Sequence, residues 1–127
     1  MAAALSKDPD HERCATYHNE APRPLIIPDL VISEVCHMID KGATVNVEAE
    51  FLQSLLSEDF RIEHVVDADL ERSRGLILQY PKLRIGAIDG VVVAVAERLK
   101  ITTIATLDHR HFTVVRPRHI DGFTLVP

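Results

Sequence analysis

The sequence has little cysteine, few glycines and no long apolar run, and each shortage excludes a class of protein. Two cysteines among 127 residues cannot form the disulfide framework of a small secreted domain. No apolar run approaches the roughly 20 residues that cross a bilayer, and the opening Met1–Leu5 is too short for the core of a signal peptide. The five glycines form neither a G-x-G-x-x-G nor a Walker-type loop. We therefore expect a cytoplasmic protein that spans no membrane and binds no nucleotide through those motifs.

Basic residues are scarce in the first half of the chain. Residues 1–60 contain four Lys and Arg against eleven Asp and Glu, residues 61–127 contain ten against eight, and the formal net charge is −5. Because neutralisation of phosphates supplies most of the affinity of non-specific nucleic-acid binding, this balance argues against a protein that coats DNA. A metal-dependent enzyme acting on phosphates stays open, since a bridging cation can hold a polyanion at an acidic site.

Helix-like and strand-like apolar patterns alternate along the chain. Two short helices over 2–7 and 10–19 are followed by predicted strands over 25–27, 60–66, 101–107 and 123–126. Further helices are predicted over 29–41, 47–57, 67–80 and 87–99. The last is apolar on almost every side until Glu97, where its polar residues are expected to face outward. Alternating strands and helices indicate parallel crossovers, so we expect a single domain over 1–127, a three-layer α/β/α sandwich around a central parallel sheet.

Three carboxylates are candidate functional residues, because a purely structural role does not fully explain their positions. Glu34 falls between Leu30 and Met38, inside the apolar arc of helix 29–41 near its edge, and unpaired carboxylates are rarely buried. A glutamate that extends to solvent from the boundary of the arc is the structural alternative. Asp89 lies in the first turn of helix 87–99, where a helix cap and a functional group are equally good interpretations. Asp108 ends strand 101–107, and ligands of open α/β sheets bind beyond the carboxyl ends of the strands, although a turn or cap aspartate is the structural alternative.

Convergence of these carboxylates would create a metal site. Two carboxylates about 4 Å apart repel by roughly 4 kcal/mol at an effective dielectric of about 20, so the cluster must protonate, accept an arginine or bind a hard cation. An all-oxygen site suits Mg²⁺ or Mn²⁺, which can activate water and neutralise charge on a phosphodiester. Arg84 and Arg110 lie near the acids in sequence and are candidate phosphate contacts, although solvated surface charge is the simpler explanation for either one.

Two other patterns suggest different chemistry. Asp67-Ala68-Asp69 follows a predicted strand and resembles the DxD of a phosphatase, but we interpret Asp67 as a helix N-cap with Asp69 in the first turn. His109, His111 and His119 suggest zinc, yet no cysteine lies nearby and a structural or surface role fits better. Neither cysteine has an evident His-Asp arrangement, so both are expected to pack in the core rather than act as nucleophiles.

Two consecutive runs carry a family resemblance: RIGAIDGVVVAVAERL over 84–99 and TIATLDHRHF over 103–112. They resemble the C-terminal half of a PIN domain, and most closely the VapC toxins of type II toxin–antitoxin pairs. The segments 8–11 and 27–35 and the ending at 116–117 and 123–127 are also similar to that family. The resemblance therefore extends over essentially the whole chain.

The resemblance implies a Mg²⁺-dependent endoribonuclease that cuts RNA, is silenced by a VapB-type antitoxin and forms a homodimer. In the family, four acids converge at the carboxyl edge of a parallel sheet, and Glu34, Asp89 and Asp108 match the second, third and fourth. Asp89 and Glu34 would then hold Mg²⁺ or Mn²⁺, and Asp108 would complete the metal's shell or orient the attacking water. Arg84 and Arg110 would contact RNA phosphates.

The family's first acid, and the central strand that it ends, have no counterpart in the sequence. That strand would precede the helix over 2–7, and its loss would leave two neighbouring strands without their partner. A start codon placed too far downstream, a degenerate paralogue and a genuinely shortened enzyme are the three explanations. The alternative function is an inactive PIN-like remnant that acts as an antitoxin-binding or dimerisation module. A third hypothesis is a small phosphatase that uses Asp67 and Asp69.

Overall fold

The computed structural model describes residues 24–106 and 109–126. They belong to two compact units, one that runs up to Glu63 and one from His64 to Val126, and each is described by itself. The helices predicted over 2–7 and 10–19 and the residue Asp108 lie outside the described residues.

The first unit contains two strands and two helices in the order β1 (Leu25–Pro28), α1 (Asp29–Gly42), α2 (Val45–Leu55) and β2 (Phe60–Glu63). The two strands pair in parallel, with Leu25 opposite Phe60 and Ile27 opposite Ile62. Parallel strands require a crossover between them, and here both helices lie in that connection. The buried core of this unit consists of Ile27, Val35, Ile39 and Phe51.

Local sequence explains where the two helices begin and end. α1 begins directly after Pro28, with Asp29 in its first turn and Lys41 in its last, so both charges complement the helix dipole. α2 begins after Thr44, whose hydroxyl accepts a hydrogen bond from the Val47 N–H at 3.3 Å. That bond satisfies one of the N–H groups that the first turn of a helix leaves unpaired.

The second unit contains three helices and two strands in the order α3 (Asp67–Gln79), α4 (Ala87–Leu99), β3 (Thr103–Ala105), α5 (His109–Val114) and β4 (Thr124–Val126). β3 and β4 pair in parallel, with Ile104 opposite Leu125. Side chains from the three helices, from β3 and from two connecting segments build the core: Leu76, Ile85, Val93, Ala96, Ile104, Phe112 and Val115.

α4 is the most buried helix of the second unit, as its apolar sequence predicts. An unbroken run over 93–97 is buried, together with Gly90 and Val91. At Gly90 the helix comes very close to α3, since a Cβ added there would lie 2.3 Å from Ser73 Oγ and 3.2 Å from Ser73 Cα. The absence of a side chain at Gly90 therefore sets how closely these two helices approach.

The α/β class with parallel strands is confirmed, with several differences in detail. The described strands form two parallel pairs, β1 with β2 and β3 with β4. The strands predicted over 60–66 and 101–107 are shorter, and the helix α5 was not expected. Its six residues are too few to show a helical period, and burial of His111 and Phe112 stabilises it instead. Among the described residues, the helices are either too short or too polar to cross a membrane.

Candidate functional site

Asp89 is held by a histidine rather than by the helix that carries it. It is the third residue of α4, whose N-cap is Gly86, and the start of this helix has no side-chain capping bond. The Oδ2 atom of Asp89 lies 2.7 Å from Nδ1 of His111 in α5. Of the two interpretations that the sequence left open for Asp89, the helix cap is therefore not the one realised.

The direction of this hydrogen bond follows from the other side of the ring. Nη2 of Arg110 lies 3.2 Å from Nε2 of His111. A guanidinium has donors and no acceptor, so Nε2 must accept and the ring hydrogen must sit on Nδ1. His111 thus donates its Nδ1 hydrogen to Asp89 and holds the carboxylate in one orientation.

The second oxygen of Asp89 is available to a ligand. Oδ1 has no hydrogen-bond partner among the described residues, and the side chain is 28% exposed. A carboxylate with one oxygen fixed by a ring N–H and the other open to solvent meets the requirement for one oxygen ligand of a hard divalent cation. The donor chemistry at Asp89 therefore fits Mg²⁺ or Mn²⁺.

The two candidate RNA-binding arginines have different surroundings. Arg110 is exposed on α5 and is joined to Asp89 through His111. Arg84 is exposed in the loop that leads to α4, where its φ of 54° is uncommon for a residue with a side chain. Its guanidinium makes no hydrogen bond to the rest of the described chain. The structure therefore brings Arg110, but not Arg84, into contact with the group around Asp89.

Glu34 lies on an exposed face of α1, contrary to the prediction that places it inside the apolar arc of this helix. Leu30 and Met38, four residues to either side, are 38% and 48% exposed, and Glu34 is exposed between them. The buried side of α1 is formed by Val35 and Ile39 instead. Because several neighbouring positions of this helix are apolar, the sequence predicts a wider buried face than the one that the core covers. The expected burial of Glu34 is wrong, whereas its solvent access leaves it able to bind a cation.

Convergence of the three predicted acids stays a prediction. Glu34 belongs to the first unit, Asp89 to the second, and Asp108 lies outside the described residues. Within the parts of the chain that the structure describes, no three His, Cys, Asp or Glu residues gather as a metal-binding group. The zinc interpretation of His109, His111 and His119 accordingly gains no support.

Two arginine–carboxylate ion pairs connect α3 to α4. Neither pair was predicted from the sequence. Glu97 accepts hydrogen bonds from Nε and Nη2 of Arg72 at 2.8 and 2.9 Å. Asp69 accepts from Nε and Nη2 of Arg98 at 3.1 and 2.9 Å. The partners are 25 and 29 residues apart, so no helical spacing reveals them in the sequence. These paired geometries are among the strongest ion contacts that proteins form.

Burial and hydrogen bonding act on these carboxylates in opposite directions. Burial favours the neutral form of Glu97, but the bonds from Arg72 and from the Arg118 N–H outweigh it, and the pKa of Glu97 lies below its ordinary value. Burial likewise opposes ionisation of Asp69, and Arg98 with the Val66 N–H lowers the pKa of Asp69 overall. Glu97 is only 8% exposed, so the prediction that this end of α4 turns its polar side chains outward is wrong for Glu97.

The same contacts bear on the phosphatase hypothesis. Asp69, at 2% exposed, is fully engaged by Arg98 and by the Val66 N–H. The N-cap of α3 is Val66 rather than Asp67, so the prediction of the capping residue was one position late. Asp69 therefore links α3 to α4 through Arg98. Its carboxylate is not exposed to solvent, as that of a nucleophile would be.

The described cysteine is not activated. Cys36 is half buried and packs beside the core of the first unit. Burial raises the pKa of its thiol, and the charges of Glu48 and Asp40 raise it further. A thiol kept in its neutral form is a poor nucleophile, in agreement with the expected packing role. The other cysteine, Cys14, lies outside the described residues.

Comparison with known proteins identifies the fold and the relatives of this chain. The family model described as PIN domain matches residues 1–116. The chain is 28% identical over 120 residues to Ribonuclease VapC26 of Mycobacterium tuberculosis (strain ATCC 25618 / H37Rv), covering 94% of this chain and 89% of that protein. Its structure resembles the crystal structure of Mycobacterium tuberculosis VapC20, a sarcin-ricin loop cleaving toxin, with a TM-score of 0.73. That match covers 80% of this chain and 78% of the other at 17% identity, so it concerns the fold alone.

Proposed function

Because the chain belongs to the PIN-domain family, we propose that it is an endoribonuclease toxin of the VapC type that hydrolyses RNA phosphodiester bonds with a carboxylate-bound metal ion. The likeness to a ribonuclease over 94% of the chain supports the reaction class. The observation that carries the proposal is the Asp89–His111 pair, which presents one open carboxylate oxygen beside an arginine. Such a group suits a reaction whose substrate is an anion and whose cofactor is a hard cation.

The residues that would hold the metal are Asp89, Glu34 and Asp108, as the family resemblance implies. A bound Mg²⁺ would supply Lewis acidity, lowering the pKa of a water molecule and neutralising charge on the phosphodiester. His111 keeps the Asp89 carboxylate in one orientation through its Nδ1–H. Arg110 contacts the opposite ring nitrogen of His111, and its guanidinium would contact a substrate phosphate. Arg84 would provide a second phosphate contact from the loop before α4.

The biological setting proposed with this activity follows the VapC relatives. The toxin would be silenced by a VapB-type antitoxin, act in the cytoplasm and form a homodimer. A VapB-type partner explains how a cell tolerates an enzyme that cuts its own RNA. Copurification of this chain with the product of an adjacent small gene, followed by cleavage assays with and without that product, tests the pairing.

The decisive experiment compares two aspartates of the second unit. Asp89→Asn removes the carboxylate charge with little change in shape, and we expect Mg²⁺-dependent cleavage of RNA to fall to the EDTA background. Asp67→Asn is the matched control, because Asp67 is an exposed aspartate in the first turn of another helix. Both variants should retain the circular dichroism of the parent. Undiminished cleavage by Asp89→Asn would contradict the proposal, and loss of phosphomonoesterase activity in Asp67→Asn would support the phosphatase hypothesis.

The inactive-module alternative is separated from the enzyme by metal binding. Isothermal titration with Mn²⁺ should give heat of binding with the parent protein and little with Asp89→Asn if the chain is a metalloenzyme. A protein that associates with its antitoxin but gives no Mn²⁺ binding would instead be a binding module.

A further inference from the structure

We propose that a cavity in the second unit is a subsite that binds a backbone phosphate of the RNA strand, away from the bond that is cut. The proposal rests on the proposed ribonuclease function and adds a second contact to it. The cavity has a volume of about 280 Å³ and is lined by α3, by the C-terminal half of α4 and by Lys100, Arg118 and His119. This volume is small for an organic cofactor, since such pockets start at roughly 300 Å³, but it admits a phosphate.

The charges that line the cavity leave an excess of cations. Arg72 and Arg98 are matched by Glu97 and Asp69 in paired hydrogen bonds, so these four side chains neutralise one another. Neither Lys100 nor Arg118 makes a salt bridge within 4.0 Å among the described residues, although the charge of Arg118 helps to lower the pKa of Glu97. The C-terminal end of a helix carries about half a negative charge, which offsets only part of this excess. The cavity is therefore positively charged, in a chain whose net charge is −5.

His119 adds a polar atom that lacks a partner. Its Nε2 lies 2.7 Å from the Ile101 carbonyl, and a carbonyl only accepts, so Nε2 carries a hydrogen. The other ring nitrogen, Nδ1, is buried without a hydrogen bond in the described structure. Buried polar atoms are rarely left unsatisfied, and the ring that carries this one belongs to the lining of the cavity.

Lys100 occupies a position where glycine is the ordinary residue. It follows α4 with φ 60° and ψ 36°, and its N–H bonds to the carbonyls of Ala96 and Glu97. The left-handed conformation after a helix favours glycine because a Cβ is strained there. A lysine at this position gives the cavity a cation at the expense of backbone strain, which favours a role for its side chain.

The distance from the candidate active site suits a second phosphate contact. Asp89 and Glu97 are eight residues apart on α4, which corresponds to about 12 Å along the helix axis. A stacked strand advances roughly 3.4 Å per nucleotide, so the cavity would lie about three to four phosphates from the scissile bond. Contacts of this kind position a strand without reading its bases.

The test measures RNA binding without cleavage. In an Asp89→Asn background, the affinity for a labelled single-stranded oligouridylate is measured by fluorescence anisotropy over a range of salt concentrations. Lys100→Gly removes the charge while relieving the backbone strain, so a loss of affinity cannot be attributed to misfolding. Arg118→Gln is the second variant, and Arg74→Gln is the control, because Arg74 is an exposed arginine of α3. We expect each cavity variant to bind about threefold to tenfold more weakly and the slope of log affinity against log salt to become shallower by about 0.7, with no change for Arg74→Gln.

A direct probe of the cavity is inorganic phosphate. Titration into the ¹⁵N-labelled protein should shift the amide resonances of Lys100, Arg118 and His119, and the shifts should be lost in Lys100→Gly. Cavity variants that bind oligouridylate with the affinity and salt slope of Arg74→Gln would overturn the subsite, even if RNA cleavage is intact. Variants that lose affinity for an acidic peptide but not for RNA would also overturn it, in favour of a protein carboxylate. If the parent fails to cut RNA while the cavity variants still bind it more weakly, the subsite stands and the proposed nuclease function falls.

Discussion

His111 donates its Nδ1 hydrogen to Oδ2 of Asp89 across 2.7 Å, and Arg110 on the opposite ring nitrogen keeps that hydrogen in place. The contact links the first turn of α4 to α5. It leaves the other oxygen of Asp89 free, as a group that orients a metal ligand must. His111 is only 6% exposed, so its ring is also held by packing.

Replacing His111 should weaken metal binding through Asp89. His111→Leu fills much of the same volume but has no donor, and we expect the Mn²⁺ affinity and the RNA cleavage rate to fall about 10- to 100-fold. His111→Asn keeps an N–H donor close to the position of Nδ1 and should retain more of both. Titration calorimetry with Mn²⁺ gives the affinity, and a thermal melt separates it from loss of fold. Equal Mn²⁺ affinity in the leucine variant and the parent would show that the histidine only fills space.

Removing the charge of Glu97 should destabilise the second unit strongly. Arg72 would be left with its guanidinium largely buried and without a carboxylate, and breaking a buried ion pair from one side costs about 3 kcal/mol or more. For Glu97→Gln we therefore expect a fall in the thermal midpoint of about 10 °C. The exposed pair Arg74–Glu71 provides the control, with N–O 3.2 Å and both side chains more than half exposed. Glu71→Gln should change the free energy of unfolding by less than about 0.5 kcal/mol. If both substitutions lowered the stability equally, loss of the Arg72–Glu97 ion pair could not be the cause of the effect in Glu97→Gln.

A methyl group at Gly90 should force α3 and α4 apart. The added Cβ would fall 2.3 Å from Ser73 Oγ, which itself donates to the Ala87 carbonyl at 2.8 Å. Overpacking of this kind costs about 2 kcal/mol, and Gly90→Ala is expected to show that loss in urea unfolding. Ser73→Ala removes the closest atom, so the double variant should recover part of the loss. Strict additivity of the two substitutions would contradict a direct contact between these positions.

Much of the fold could be predicted because it depends on local patterns. The apolar run of α4 and the alternation of strands and helices are visible in a single sequence, and they gave the α/β class and most element positions. α5 was missed because a helix of six residues has less than two turns to display a period. Its stability comes from contacts of Phe112 in the core, which the sequence does not specify.

The candidate site was predictable only in part, for a physical reason. Asp89 was identified by its residue type and its place in a helix, but its partner His111 is 22 residues away and is brought to it by folding. The error at Glu34 has a different origin, since helical spacing assigns a face to a residue but does not say how wide the buried face is. Glu97 was placed outside because charged residues are rarely buried, a rule that fails when an arginine accompanies them.

Acid should destabilise the second unit through Asp69 and Glu97. The pKa of each is lower in the folded protein than its ordinary value near 4, so the stabilisation is complete above that value and is lost as the pH falls through the lower folded value. The urea midpoint should therefore stay nearly constant from about pH 7 to pH 5 and fall steeply below about pH 4. In Asp69→Asn the midpoint should start lower, because Arg98 loses its anionic partner, and its fall below pH 4 should be shallower. An Asp121→Asn control, in which an exposed aspartate is replaced, should follow the parent curve. If the urea midpoint of Asp69→Asn fell below pH 4 as steeply as that of the parent, other carboxylates would be responsible for the acid sensitivity.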